Sequence, residues 1–336
     1  MDMEAITPPS PLPRRGVQGF LAAVLAGLFA GVLSVIAISS QNSLLLSGLV
    51  LIVPVPLCLV GLGVGGGDAI VAAMVATATI MFGVNDIVMT MAIVVVYILP
   101  ALLLCLLALR YRYDGDKNLY WYPAGRLLTA VAVYPVIAFG LLCLFAGNGG
   151  IEKTLHDAFA QYFEQMIAFD NDLSKADKAA LIESIKAPLD MLIAVMPGLT
   201  ISFWMTGMMV SAMWAQYALT ANKMALRPTP CLTDLDLPYA LLILLALMGL
   251  IGFFFVGPAA YFARNTFLPL SMPYFFVGIS LMHLWAGKRS HKYLWLLGFY
   301  VLIMFGWPAI VVAAVGVLEP WLHLRIKING KTKASI

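Results

Sequence analysis

The amino-acid sequence predicts an all-α fold, a polytopic bundle of about ten transmembrane helices with one amphipathic helical hairpin outside the membrane. Of its 336 residues, 62% are hydrophobic and only 11% are charged, whereas soluble domains carry about 25% charged residues. Apolar runs of about 20 residues, the length that spans a bilayer, recur along the chain. The shortage of charge excludes a soluble enzyme, a disordered protein and a nucleic-acid binder with a single membrane anchor.

The apolar runs set the order of the elements. Residues 1–16 are rich in proline and form a predicted cytoplasmic tail. No cleavage-site pattern follows the first run, so we expect a retained span there and not a signal peptide. We expect transmembrane helices 1–5 within residues 17–150, helices 6–10 within 188–324, and a basic cytoplasmic tail over 325–336. The apolar runs are 17–39, 44–62, 67–84, 87–109, 124–146, 189–218, 239–257, 267–286 and 293–322.

The distribution of basic residues predicts the orientation in a bacterial inner membrane. Arg14 and Arg15 precede the first span, and positive charge in short loops marks the cytoplasmic side. The N-terminus is therefore expected in the cytoplasm. The loops 110–126, 223–227 and 288–292, which are also basic, then fall on the same side.

The stretch from Tyr293 to Leu322 leaves the number of spans open. As one helix it would be about 45 Å long, which exceeds a hydrocarbon core of about 30 Å. Proline interrupts the backbone hydrogen bonds of a helix, so a break near Gly306-Trp307-Pro308 would give two short helices and ten spans in all. One long tilted helix would give nine. The sequence favours the break.

The hydrophilic segment 151–187 is predicted to be an extracytoplasmic helical hairpin. Apolar residues recur at helical spacing in its first half. They are Ile151, Leu155, Phe159, Tyr162, Phe163, Met166 and Ile167. Acidic residues outnumber basic ones on this first helix, whereas helices that lie on anionic lipid are usually basic. We therefore expect its apolar face to rest on the helix bundle, as a lid over an outward-facing cavity.

Four residues are candidates for binding a ligand, and three of them also have a simpler interpretation. Asp68, after a glycine-rich turn, is either a helix N-cap or a buried polar group. Pro197 marks irregular backbone, which lipid tolerates only where protein or water covers it. His283 is either functional or an ordinary interfacial histidine, and Glu319 is either functional or paired with Arg325. Ionisable side chains inside a membrane are costly and often functional.

Small residues follow one face of the first span. Ala22, Ala26 and Ala30 form a small-xxx-small row that permits close helix contact. The contact is either with another helix of this chain, for which the parallel row through Gly27 also serves, or with a partner membrane protein.

No catalytic or metal-binding pattern is present in the sequence. The cysteines at 58, 105, 143 and 231 and the histidines at 156, 283, 291 and 323 are scattered, without the spacing of a zinc site or a nucleophile motif. We expect no enzymatic activity, no cofactor and no metal. The net charge of +3 is too small to indicate a nucleic-acid partner, so the lipid bilayer is the expected surrounding.

The ends of the apolar region resemble a known family. The run Gly278-Ile-Ser-Leu-Met-His283, the basic loop after it, and Gly316-Val-Leu-Glu319-Pro-Trp-Leu-His-Leu-Arg325 resemble the YybS-like family of uncharacterised bacterial membrane proteins, a DUF-type family. The Met196-Pro197-Gly-Leu199 segment fits the same pattern. That family is similar to the substrate-binding S components of energy-coupling-factor vitamin transporters, in which small residues of the first helix contact the coupling subunit. The resemblance implies that role for Ala22, Ala26 and Ala30.

These observations favour an S-component-like protein that binds a small or amphiphilic ligand of unknown identity and moves it with a partner. The alternative is a membrane scaffold that transports nothing and recruits envelope or division proteins. A membrane enzyme that acts on lipid is the weakest hypothesis, because the predicted spans contain too few polar groups for catalysis.

Overall fold

The structure is a computed structural model that describes residues 16–39, 48, 51–113, 119–146, 150–168, 175–230 and 235–329. Most of the predicted N-terminal tail, the start of the second predicted span, the tip of the predicted hairpin and the last residues of the basic tail lie outside these ranges. The fold divides into two compact units. The first combines Met1–Val131 with Trp204–Asp236, and the second combines Ala132–Phe203 with Leu237–Ile336.

In the described part of its first half, the chain forms four apolar helices and a short β-hairpin. The helices are α1 (Val17–Ser39), α2 (Pro54–Gly63), α3 (Gly66–Val84) and α4 (Ile87–Ala108), and the antiparallel strands are β1 (Tyr111–Tyr113) and β2 (Leu119–Trp121). The separation of α3 from α4 follows from two polar residues. Asn85 ends α3 in the left-handed conformation, and the Asp86 carboxylate accepts a hydrogen bond from the Met89 amide at the start of α4. The β-hairpin is an addition to the predicted all-α fold.

The rest of the described chain is helical. Its elements are α5 (Ala124–Phe145), α6 (Gly150–Ala168), α7 (Lys175–Ala221), α8 (Tyr239–Phe254), α9 (Pro258–Ala286), α10 (Lys292–Ile303), α11 (Trp307–Leu322) and α12 (Leu324–Asn329). The core of the second unit lies between α8 and α9, where Leu241, Leu245 and Met248 pack against Leu270 and Tyr274.

Six described helices are long and apolar enough to cross a membrane, namely α1, α3, α4, α5, the Ala180–Ala221 part of α7, and α9. The bent pair α10 and α11 would be a seventh if it acts as one span. The helices α2 and α8, which fall in two further predicted runs, have 10 and 16 residues, or about 15 and 24 Å. The protein is therefore a multi-pass helical membrane protein, and ten spans stay a prediction.

The last apolar stretch breaks where the sequence indicates. Helices α10 and α11 meet at a bend of 113°, and Gly306 at this bend has a φ of 82°, a conformation that favours glycine. The two helices have 12 and 16 residues, so each is shorter than a bilayer core of about 30 Å.

The segment predicted as an exported hairpin differs in its second half. Helix α6 forms as expected, but no separate helix ends near residue 187, because α7 continues through Pro188 and Pro197 to Ala221. On α6 the residues Ile151, Leu155, Phe159 and Phe163 are half-buried, whereas Tyr162 and Met166 are exposed. Within the second unit α6 contacts α9. Part of the predicted apolar face therefore rests on protein.

Candidate functional site

Helix α7 is continuous, but its backbone hydrogen bonds are interrupted at Pro197, one of the predicted candidates. Proline has no N–H group, so the carbonyl of Ile193, four residues earlier, loses its helical donor. The hydroxyl of Tyr261 on α9 donates a hydrogen bond to that carbonyl at 3.1 Å. A side chain of a neighbouring helix thus replaces the missing backbone group.

Asn265, one turn further along α9, bridges the next gap in α7. The Gly198 amide donates to Asn265 Oδ1 at 2.8 Å, and Asn265 Nδ2 donates to the Ala194 carbonyl at 3.0 Å. A second bond from Nδ2 goes to the Tyr261 carbonyl. A Cβ atom on Gly198 would lie 2.8 Å from the Asn265 carbonyl oxygen, so glycine permits this contact. Asn265 is 1% exposed, and it was missed because the predicted span begins only at residue 267.

Helix α4 in the first unit repeats this arrangement. Pro100 removes the donor for the Val96 carbonyl, and the Trp204 indole N–H donates to that carbonyl at 2.9 Å. A π-helical turn, Val94–Ile98, precedes the proline. In each unit, an aromatic side chain therefore satisfies a carbonyl that a proline has left without its partner.

Asp68 lies in the first turn of α3 and is not its N-cap, which is Gly65. The N-cap interpretation is wrong because the helix begins two residues before the aspartate. Asp68 is 8% exposed. Its Oδ2 atom is buried and has no hydrogen-bond partner in the described part of the chain. The structure therefore agrees with the other interpretation, a buried polar group.

Arg227 is a second buried charge of the first unit, although the sequence pattern indicates only that it belongs to a basic loop. Its Nη1 donates to the Ala108 carbonyl at 3.0 Å and its Nη2 to the Tyr122 carbonyl at 2.8 Å. Ala108 ends α4, where a cation is favoured by the helix dipole. Burial lowers the pKa of Arg227. This guanidinium joins three segments of the first unit.

Glu319 caps a short helix in the second unit. Its Oε2 accepts a hydrogen bond from the Leu324 amide at 2.9 Å, and its Oε1 accepts one from the Arg325 amide at 3.2 Å. The Arg325 Nε lies 3.6 Å from Oε1. The pair that the sequence offered as the simpler interpretation is present, and the carboxylate is held by α12.

His283 lies in the last turn of α9 and is exposed. Its Nε2 lies 2.8 Å from the Tyr300 hydroxyl of α10. The partners of Pro197, His283 and Glu319 belong to different elements, and Asp68 belongs to the other unit. Among the described residues, no hydrogen bond or ion pair joins two of the four candidates, and ligand binding at each stays a prediction.

The small residues of α1 pack within the chain. A Cβ atom on Gly27 would lie 2.5 Å from the Ala72 carbonyl oxygen of α3, and one on Gly31 would lie 2.5 Å from Thr79 Cβ. Ala30 is fully buried in the same face. Ala22 and Ala26 are half-buried at its edge, so part of the predicted docking row is used by α3.

Cys58 and Cys105 meet in the first unit, which the sequence did not predict. Both are fully buried, and the Cys105 thiol donates a long hydrogen bond to the Leu57 carbonyl, next to Cys58, at 3.8 Å. Across the described ranges, no group of three or more His, Cys, Asp or Glu side chains is arranged to hold a metal ion.

Comparison with known proteins places the chain in one family. No curated protein matches it, and no solved structure does. The sequence model of a family described as "Predicted membrane protein (DUF2232)" matches residues 30–319, which include every helix from the second half of α1 to nearly the end of α11. This protein is therefore a member of the DUF2232 family of predicted membrane proteins.

Proposed function

We propose that this protein binds a small or amphiphilic molecule in the bacterial inner membrane and moves it with a partner membrane protein, in the manner of an S component. The N-terminus is cytoplasmic in this proposal. No chemical reaction is part of it.

The observation that supports binding is the interruption of α7 at Pro197. Tyr261 and Asn265 replace backbone hydrogen bonds there. Many membrane transporters bind their substrates where the backbone hydrogen bonds of a spanning helix are interrupted. Prolines and disrupted backbone hydrogen bonds are also the usual positions of helix kinks.

The energy source for transport and the surface for the partner protein are inferred from other parts of the chain. The sequence holds no P-loop motif, so another chain or an ion gradient would supply the energy for transport. The half-buried edge of α1 at Ala22 and Ala26 is the surface that we assign to the partner.

Native mass spectrometry of the gently extracted full-length protein tests the proposal, because it reports ligands and partners together. We expect an adduct of constant mass, distinct from phospholipid, in repeated preparations. The variant Asn265→Leu should lose it, whereas Asn222→Ala, on an exposed residue, should keep it. If only phospholipid accompanies the wild-type protein, ligand binding is rejected.

The scaffold hypothesis is the second candidate, and exposed residues on α6 favour it. Tyr162 is 61% exposed and Met166 is 51% exposed, which leaves two large apolar side chains free to contact another protein. A membrane protein that co-purifies without a small molecule, and is lost in the double variant Tyr162→Ser and Met166→Ser, would favour the scaffold.

A further inference from the structure

We propose that Asp68 anchors a binding site for a monovalent alkali cation at the connection between α2 and α3. The inference does not depend on the proposed function, because a cation can occupy this site in a transporter or in a scaffold.

The first argument is the isolation of the charge. Helix α3 packs against α1, α2 and α4. Across these four helices Asp68 is the one residue that is Asp, Glu, Lys, Arg or His. The other titratable side chains on them are Cys58, Tyr97 and Cys105, and none of these supplies a positive charge. The helices around Asp68 therefore offer it no countercharge.

Arg227, the buried cation of the same unit, already forms hydrogen bonds with other groups. Its two Nη atoms donate to the carbonyls of Ala108 and Tyr122, and it forms no ion pair with Asp68 in the described structure. The two opposite charges therefore do not neutralise each other by direct contact.

The second argument is the state of the carboxylate itself. Asp68 is more than nine-tenths buried and its Oδ2 lacks a hydrogen-bond partner among the described residues. An unpaired charge in an apolar interior is strongly unfavourable. The start of α3 offsets part of this cost, because a helix N-terminus favours negative charge. A bound cation would offset the rest.

The chemistry of the surroundings selects the kind of cation. One carboxylate balances one positive charge, whereas sites for divalent cations usually combine several acidic ligands. An organic amine would need a cavity, but Oδ2 is closed to solvent. A bare alkali ion requires much less space.

Backbone oxygens near Asp68 in sequence would complete such a site. Helix α2 ends at Gly63, three residues before α3 begins, and the last carbonyls of a helix have no intrahelical donor. The Val60 carbonyl already accepts bonds from Val64 and Gly65, and the Leu62 carbonyl accepts one from Leu226, so a cation would take its ligands from the other carbonyls of this connection. Helix C-terminal carbonyls serve as sodium ligands in transporters with interrupted helices.

Thermal unfolding of the full-length protein in zwitterionic nanodiscs tests the inference. Tryptophan fluorescence would be followed in lithium, sodium, potassium or choline chloride at equal ionic strength. A ligand that binds the folded state raises the unfolding temperature in a saturable way. We expect an increase of several degrees in at least one alkali salt relative to choline, and no such increase in Asp68→Asn.

Asp86→Asn is the matched control. Asp86 is exposed and caps α4, and asparagine caps helices equally well, so this variant should keep the full response. The inference is overturned if wild type does not distinguish alkali salts from choline, or if Asp68→Asn responds as wild type does. It is also overturned if only calcium or magnesium raises the unfolding temperature. The same holds if only a change of pH raises it, since a proton would then be the bound ion.

Binding of radiolabelled sodium to the wild-type protein, measured by scintillation proximity, covers the case in which Asp68→Asn fails to fold. Label displaced by unlabelled lithium or sodium, and retained in choline, supports the site. Absence of saturable binding both of radiolabelled sodium and of radiolabelled potassium refutes it.

Discussion

At the scale of single residues, the polar groups that matter most are those that replace backbone partners. Pro100 and Pro197 each free a carbonyl, and Trp204 and Tyr261 each donate to it. A sequence locates the proline and, by counting back four residues, the carbonyl. It does not locate the donor, because Tyr261 lies 68 residues from Ile193 and only the fold brings them together.

We expect Asn265→Leu to destabilise the protein by about 2–4 kcal/mol, because two buried backbone groups of α7 lose their partner. Tyr261→Phe removes one hydrogen bond and should cost about 1 kcal/mol. Unfolding in mixed micelles with increasing dodecyl sulfate, followed by tryptophan fluorescence, measures both.

Asn222→Ala serves as the comparison, because Asn222 is exposed and bonds only locally to Ala218. Its effect should stay within about 0.5 kcal/mol. If Asn265→Leu is equally mild, the break in α7 is satisfied in some other way.

Asp68 and Arg227 show what a local sequence pattern can predict about a charged residue and what it cannot. Burial of Asp68 was one of two interpretations of the sequence, and the choice depended on where α3 begins within a run of three glycines. Helix starts are uncertain by a residue or two without the cap geometry. The charge distribution assigns Arg227 only to a loop. It indicates the side of the membrane on which a residue lies, and not the carbonyls to which the residue donates.

At the scale of elements, two glycines decide how α9 and α11 pack. A Cβ atom added to Gly278 would clash with the Val312 carbonyl, and one added to Gly316 would clash with the Tyr274 carbonyl. Backbones in such close contact are typical of membrane helices, where small residues let helices approach.

Gly278→Ala and Gly316→Ala should each destabilise the protein by about 1–3 kcal/mol, the usual cost of overpacking. Gly298→Ala on α10 has open space around it and should be neutral or stabilising by up to about 1 kcal/mol. The same micellar unfolding experiment compares the three. Equal effects at all three positions would mean that helix propensity, and not the α9–α11 contact, sets the outcome.

Hydropathy predicts the bounds of four helices well and misplaces the start of α9, whose first turns contain polar residues. The bounds of α1, α3, α4 and α5 agree with the predicted runs to within one residue. Helix α9 begins nine residues earlier than predicted, because Arg264 and Asn265 lowered the hydropathy of its first part. In the structure, Arg264 donates to the Gly252 carbonyl and Asn265 joins α7, so both polar residues belong to the helix.

At the scale of the whole molecule, the bend between α10 and α11 decides the number of spans. A turn of 113° with two short helices differs from a straight crossing and from a full hairpin. Helix length alone allows either one bent span or two short spans. The bilayer can become thinner around short helices, and a long helix can tilt.

A reporter fused after Ile336 should lie in the cytoplasm, because the basic tail favours that side. A second fusion at Lys292 should also be cytoplasmic and fixes the orientation of the preceding helices. Paired alkaline phosphatase and green fluorescent protein fusions give opposite signals on the two sides. An exported C-terminus with a cytoplasmic Lys292 would establish one span and a total of nine.

The proline breaks also impose an order on biosynthesis. Asn265 follows Gly198 by 67 residues, which takes about 3–13 s to translate at about 5–20 residues per second. Trp204 follows Val96 by 108 residues, a delay of about 5–22 s at the same speed. During these intervals α4 and α7 leave the ribosome with carbonyl groups that have no partner in this chain. A nascent chain arrested before Tyr261 should therefore stay bound to the membrane-insertion machinery. Membrane proteases should degrade it faster than a chain arrested after α9.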